Sequence, residues 1–164
     1  MLFRSPLSSA REDNFTTGLS MGGYGALKVA LTKPEQYTAA ASLSGAVDLI
    51  SLATEHASVS GGHPFAFERI FQDHLHLEDT DADIYHLIRR NREENRPTTK
   101  LFVSRGTEDF LYPLHLGAKK ALIALGADAH FEEHPGAHNW QYWDEHIQCA
   151  LNWLPLKNDV IRCL

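Results

Sequence analysis

Cysteine is scarce in this chain: two residues, Cys149 and Cys163, in 164. They lie near the C-terminus without framework spacing, which excludes a disulfide-stapled scaffold and fits reduced thiols in a cytoplasmic protein. Positive charge is also short. Fifteen Lys and Arg face 21 Asp and Glu, a formal net charge of −6. No basic cluster offsets it, so neither nucleic acid nor an anionic membrane surface is expected as the main partner. The apolar runs are too short to span a bilayer, and Met1 to Ala10 lacks the apolar segment of a signal peptide. Nor is there an internal repeat. His74-Leu75-His76 offers two imidazoles, but no third ligand stands at a recognised spacing, so no metal is expected. What is present is a chain 43% hydrophobic, able to bury a core and of a length for one domain.

That domain is organised around Gly18-Leu19-Ser20-Met21-Gly22, the G-x-S-x-G pattern of a nucleophile elbow. The serine must stand on a sharp turn between a strand and a helix. Chain passes close on both sides, so glycine suits the positions two before and two after Ser20. Alone the pattern is weak, arising by chance in about one chain of this size in twenty. Its context is stronger. Asn14-Phe15-Thr16-Thr17 reads as a strand, and Tyr24 to Leu31 as a helix stopped ahead of Pro34.

Further along, Tyr37 to Gly45 reads as a second strand, small-residue rich as if buried on both faces. From about 47 to 96 the chain is polar and broken by Gly61-Gly62 and Pro64. Helices are expected there over Phe65 to Asp73 and Ala82 to Glu94, the second capped by Thr80 or Asp81. This stretch reads as an excursion from one domain spanning 1–164. A third strand, Thr99 to Ser104, precedes the loop Arg105-Gly106-Thr107-Glu108-Asp109. A helix follows from about Pro113, with Leu114, Ala118, Ala121, Leu122 and Leu125 on one face and Gly126 as its stop. Ala129 to Glu133 is the fourth strand. The last helix sets Trp140, Trp143, Ile147, Leu151 and Leu154 on one stripe, expected to face the core. Strands alternating with helices imply an α/β fold, a parallel sheet with helices on both faces. Its chemistry gathers at the carboxyl ends of the strands.

Ser20, Asp109 and His138 each follow a strand. A serine needs a base to take its proton, and the base needs an acceptor to fix its tautomer. The chain order Ser, Asp, His is that of α/β-hydrolases. Alternatives remain open. Asp109 by itself would read as a cap for the helix near Pro113, and Glu108 is a rival acid. His130 and His134 are rival bases, although the first falls within a strand and the second at its end.

Gly18 to Ala26, Gly106 to Tyr112 and Gly136-Ala137-His138-Asn139-Trp140 together resemble the esterase D group of α/β-hydrolases. The likeness is to bacterial tributyrin esterases, with S-formylglutathione hydrolases as relatives, and runs from about Arg11 to Leu154. It implies a serine carboxylesterase acting on small-molecule, short-chain acyl esters without a cofactor. Ser20 would be the nucleophile, His138 the acid/base and Asp109 its partner, with the Met21 backbone N–H as one oxyanion donor. That family sets four strands ahead of the elbow strand, whereas this chain starts almost at the elbow. The resemblance therefore implies the C-terminal portion of an α/β-hydrolase fold, lacking the loop that supplies a second oxyanion donor. It also makes Phe15 to Leu19 an edge strand, a template for homo-oligomers. A thioesterase of the S-formylglutathione type, or a non-catalytic fragment that packs on a partner chain, are the alternative readings.

Overall fold

The computed structural model describes residues 8–57, 71 and 76–156. Among these, four strands form one parallel sheet in the order β1-β2-β3-β4, with β1 spanning Phe15–Leu19, β2 Ala39–Leu43, β3 Lys100–Gly106 and β4 Ala129–His134. The helices are α1, Met21–Thr32, α2, Leu49–Ala57, α3, Ile84–Glu93, α4, Tyr112–Ala124, and α5, Trp140–Trp153. All the pairings are parallel, so the residues that follow β1, β3 and β4 emerge at the same, carboxyl, end of the sheet. β1 is the outermost described strand and pairs only with β2.

Side-chain alternation decides what covers each face. Ala40, Leu101 and Val103 point into one core with Tyr24, Leu27, Ala30 and Leu31 of α1 and Ala118 and Leu122 of α4. Ala41, Leu43 and Phe102 point the other way, to Tyr142, Trp143 and Ala150 of α5. All five residues of β2 are buried. That explains its run of alanines: a central strand squeezed between two helix layers has room for small side chains.

The stretch from 47 to 96 contributes to the first core through Leu49, Leu52, Ala53, Leu77, Ile84 and Leu87. Helix α2 was not expected from the sequence. Asp48 starts it, its Oδ1 accepting from Ser51 N–H at 3.0 Å. The helix expected over Phe65 to Asp73 lies, except for Phe71, outside the described residues. Neither Thr80 nor Asp81 caps α3. Thr80 closes a preceding turn, its carbonyl accepting from Asp83 N–H at 3.0 Å. The cap falls to Asp83, whose carboxylate accepts from Tyr85 N–H at 2.8 Å.

The stripe expected along α5 holds for Trp143, Ile147 and Leu154, which are buried or packed against the second core, but not for its first member. Trp140 is 72% exposed, while Tyr142, Trp143, His146 and Ala150 are buried. The reason is position: Trp140 is the first residue of α5, next to its Asn139 cap, and meets its helix neighbour Trp143 edge-on at 5.4 Å between ring centroids.

Leu27 is fully buried in the first core, and Val29, two residues on, is 43% exposed. Leu27→Ala is expected to lower unfolding stability by about 2–5 kcal/mol, and Val29→Ala to change it by no more than about 0.5 kcal/mol. Urea unfolding followed by circular dichroism measures both, and similar losses would show that this layer is not packed as described.

Candidate active site

β1 ends at Leu19 and α1 begins at Met21, so Ser20 alone turns the corner. It sits at φ 52°, ψ −125°, a backbone state that costs a non-glycine residue about 1–3 kcal/mol. Hydrogen bonds hold it there. Ser20 N–H donates to Leu43 C=O at 2.8 Å, and Ser20 C=O accepts from Gly23 and Tyr24 N–H at 2.9 and 3.2 Å. A Cβ on Gly18 would run into the Gly22 carbonyl, but one on Gly22 would meet no described atom within 4 Å. The crowding expected on both sides of the serine is thus found on one. Gly22 matters there for where its backbone lies.

The loops after β3 and β4 are stitched together. Thr107 N–H donates to His134 C=O at 2.8 Å and Glu108 N–H to Gly136 C=O at 2.9 Å. A side chain at Gly106 would strike the Gly136 carbonyl, and Gly136 itself has φ 140°. On the far side of His138, Asn139 caps α5 by accepting from Tyr142 N–H at 3.0 Å. His138 is therefore held between a glycine turn and a helix cap.

These constraints bring Ser20, His138 and Asp109 into one hydrogen-bonded line. His138 Nε2 is 2.9 Å from Ser20 Oγ, and His138 Nδ1 is 2.8 Å from Asp109 Oδ2. An ionised carboxylate only accepts, so Nδ1 carries the proton and Nε2 offers its lone pair to the serine hydroxyl. Phe110 and Trp143 flank the imidazole, at 4.9 and 5.0 Å between ring centroids. Met21 opens α1, where the first amides have no carbonyl within the helix to bond.

The rivals lie elsewhere. Glu108 is exposed. His130 and His134 both reach Glu132 on their own strand, at 3.2 and 3.1 Å. Asp109 is buried, and its Oδ1 does accept from Leu111 N–H at 2.9 Å. Leu111 precedes the first residue of α4, so this bond closes the turn before the helix and is not an N-cap of it; the other carboxylate oxygen is left for His138.

One residue of the site was not anticipated. Arg105 is 2% exposed, and its Nη1 lies 3.1 Å from Asp109 Oδ2. The available signal was an arginine at the end of the apolar run Leu101-Phe102-Val103, four residues before an aspartate. Burial alone would push the Asp109 carboxyl up. The His138 hydrogen bond, the Arg105 charge and the Leu111 N–H outweigh it and hold the group below the usual carboxylate range.

Cavity size is a poor guide to this site. A cavity of about 320 Å³ opens at the other end of the sheet, beside Asn91, Arg96, Thr98 and Asp128. Another, of about 290 Å³, borders the His138 loop at Glu108, Gly136, Ala137 and Asn139. Among the described residues no three His, Cys, Asp or Glu side chains gather as a metal cage, and no helix is long and apolar enough to cross a membrane.

Residues 3–154 match the family described as Putative esterase. An acetyl esterase of Caldicellulosiruptor saccharolyticus is 29% identical over 157 residues, covering 94% of this chain and 59% of the relative. Among solved structures, a fluorophosphonate-binding serine hydrolase of Staphylococcus aureus superposes with TM-score 0.80 and 34% identity, covering 94% of this chain and 58% of that one. An S-formylglutathione hydrolase of the same organism gives TM-score 0.77 and 33% identity, over 92% and 57%. The chain thus spans less than two thirds of the length of these relatives. The matches establish the α/β-hydrolase fold for the portion described.

The depressed Asp109 carboxyl has a consequence for stability. Its contribution is complete above the ordinary aspartate value of about 4 and is lost as pH falls below that, through the lower folded-state value. The stability gap between the wild type and Asp109→Asn is therefore expected to shrink on acidification below about pH 4. Urea titrations across that range would show it, and a gap that widens as pH falls below about 4 would reverse the assignment.

Proposed function

The chain belongs to the Esterase family, and from that premise we propose a serine carboxylesterase acting on short-chain acyl esters. The observation that carries the proposal is the unbroken line from Ser20 Oγ through His138 to Asp109, at 2.9 and 2.8 Å. His138 Nε2 takes the hydroxyl proton as Ser20 Oγ attacks the ester carbonyl. Negative charge develops on the carbonyl oxygen, and the Met21 N–H, in the first turn of α1, is the donor this reading assigns to it. His138 then protonates the departing alcohol, leaving an acyl group on Ser20. Water, activated by the same imidazole, releases the acid. Asp109 holds the tautomer and stabilises the imidazolium formed in each half.

A second reading, hydrolysis of thioesters of the S-formylglutathione type, is favoured by the 33% identity to such a hydrolase. The same line of residues serves both. Acetyl thioesters and acetyl oxygen esters assayed side by side distinguish them.

With p-nitrophenyl acetate or butyrate, Ser20→Ala and His138→Ala are each expected to remove most of the activity and to a similar level, because the residues act as a unit. Asp109→Asn is expected to lower turnover by about 10⁴, and Glu108→Gln to have little effect. Undiminished turnover in Ser20→Ala would remove the nucleophile, and a larger loss in Glu108→Gln than in Asp109→Asn would change the acid.

The outer side of β1 carries no strand among the described residues. A parallel edge with free N–H and C=O groups is a template for pairing, and we propose self-association of this 18.4 kDa chain through Phe15–Leu19. In light scattering after size exclusion, the mass is expected to rise with concentration above the monomer. A monomer at every concentration would refute association through β1.

A further inference from the structure

Arg105 takes no part in the proton transfers above, yet its guanidinium is among the most deeply buried groups in the protein. Removing a charge from water costs several kcal/mol unless partners compensate. Its partners come from two different loops. Nη2 donates to the Gly45 carbonyl, and Nη1 faces Asp109 Oδ2 at 3.1 Å.

Gly45 is itself packed against the elbow. A side chain there would lie 2.8 Å from Tyr24 N and 2.9 Å from the Gly23 carbonyl carbon. The preceding residue, Ser44, has φ 53°, and its N–H donates to Ser104 C=O at 2.8 Å. The guanidinium thus spans the space between the backbone that abuts the first turn after Ser20 and the carboxylate that bonds His138.

The other titratable groups around it do not duplicate its charge. Tyr142, from α5, is bonded to Ser104 Oγ at 2.7 Å, and burial pushes its phenol up to about 12. His115, from α4, is buried 3.3 Å from Glu133 Oε1, and burial, with the Arg105 charge second, pulls it down to about 4. Both are neutral at pH 7. Asp48 lines the same small cavity as Arg105 and His115. Glu132, from β4, is bonded by His130 and His134.

We propose that Arg105 is a positioning residue, a buried clamp that fixes the Asp109 carboxylate opposite His138 and shares that carboxylate's charge with the imidazole. The role rests on the catalytic reading given above. Two consequences separate it from a structural bridge. Without the positive charge, Asp109 stabilises the His138 imidazolium more strongly, so His138 becomes more basic. Lysine retains the charge but not the planar two-armed reach to both acceptors, so the alignment suffers while the basicity does not.

The test follows the His138 ring by ¹⁵N NMR titration in the full chain, which needs no turnover, and runs beside the rate at which a fluorophosphonate probe labels Ser20. In Arg105→Met the His138 midpoint is expected to rise by about one pH unit. In Arg105→Lys it is expected to stay near that of the wild type while labelling slows about tenfold or more. A folded Arg105→Met protein that titrates like the wild type overturns the proposal. If that variant does not fold, Arg105→Lys decides, and labelling at the wild-type rate overturns it. Failure of both variants to fold overturns it in favour of a purely structural bridge. A wild type that is never labelled at Ser20 would instead sink the catalytic reading, while the titration still reports on the charge.

Discussion

The Asp109 carboxylate is the point on which the rest of the site depends. It is buried, and a buried charge persists only where hydrogen bonds and an opposite charge replace its water. Here one oxygen accepts from Leu111 N–H, and the other faces both His138 Nδ1 and Arg105 Nη1. Each partner arrives from a different piece of local structure: the first residues after the loop, the glycine turn beyond β4, and the end of β3. Satisfying one carboxylate thus requires the β3 and β4 ends to be in register. The backbone bonds from Thr107 and Glu108 to His134 and Gly136 supply that register.

Strain at the other end of the line is held in a similar way. Ser20 occupies a costly backbone state, and it does so between two hydrogen-bonded anchors, the end of β2 and the first turn of α1. The close approach of Gly18 to the Gly22 carbonyl leaves no room for a side chain at that position. Pre-organisation of this kind means the serine and imidazole need not search for one another. The same parallel sheet that packs alanines between helix layers also delivers these side chains to one end, the carboxyl end of its strands.

Much of this was legible in the chain. The strand and helix alternation is written in local apolar periodicity, which burial on both sheet faces enforces. The elbow could be read because its steric demand is local, spanning Gly18 to Gly22. Ser20, Asp109 and His138 could be singled out because each follows a strand, and parallel strands present their carboxyl ends together. Helix α2 was harder to see, since Leu49, Leu52 and Ala53 sit in a stretch whose overall polarity masks them. Trp140 misled for the opposite reason. Helical spacing assigns a side chain to a stripe, but a helix that begins beyond its neighbours leaves its first residue in solvent.

By itself, then, the sequence determined the alternation of strands and helices, the elbow, and the chain order in which Ser20, Asp109 and His138 each follow a strand. Those properties follow from short-range sterics and from periodicity, which act within a few residues. Only the tertiary structure brings Asp109, not Glu108, to His138 Nδ1, and His138, not His130 or His134, to Ser20 Oγ, because that placement is one of burial and direction in loops of similar composition. It alone paired Arg105 with Gly45 across 60 residues of sequence and with the carboxylate beside it. A contact across such a separation leaves no local pattern, since it exists only once the β2 and β3 ends have been brought together.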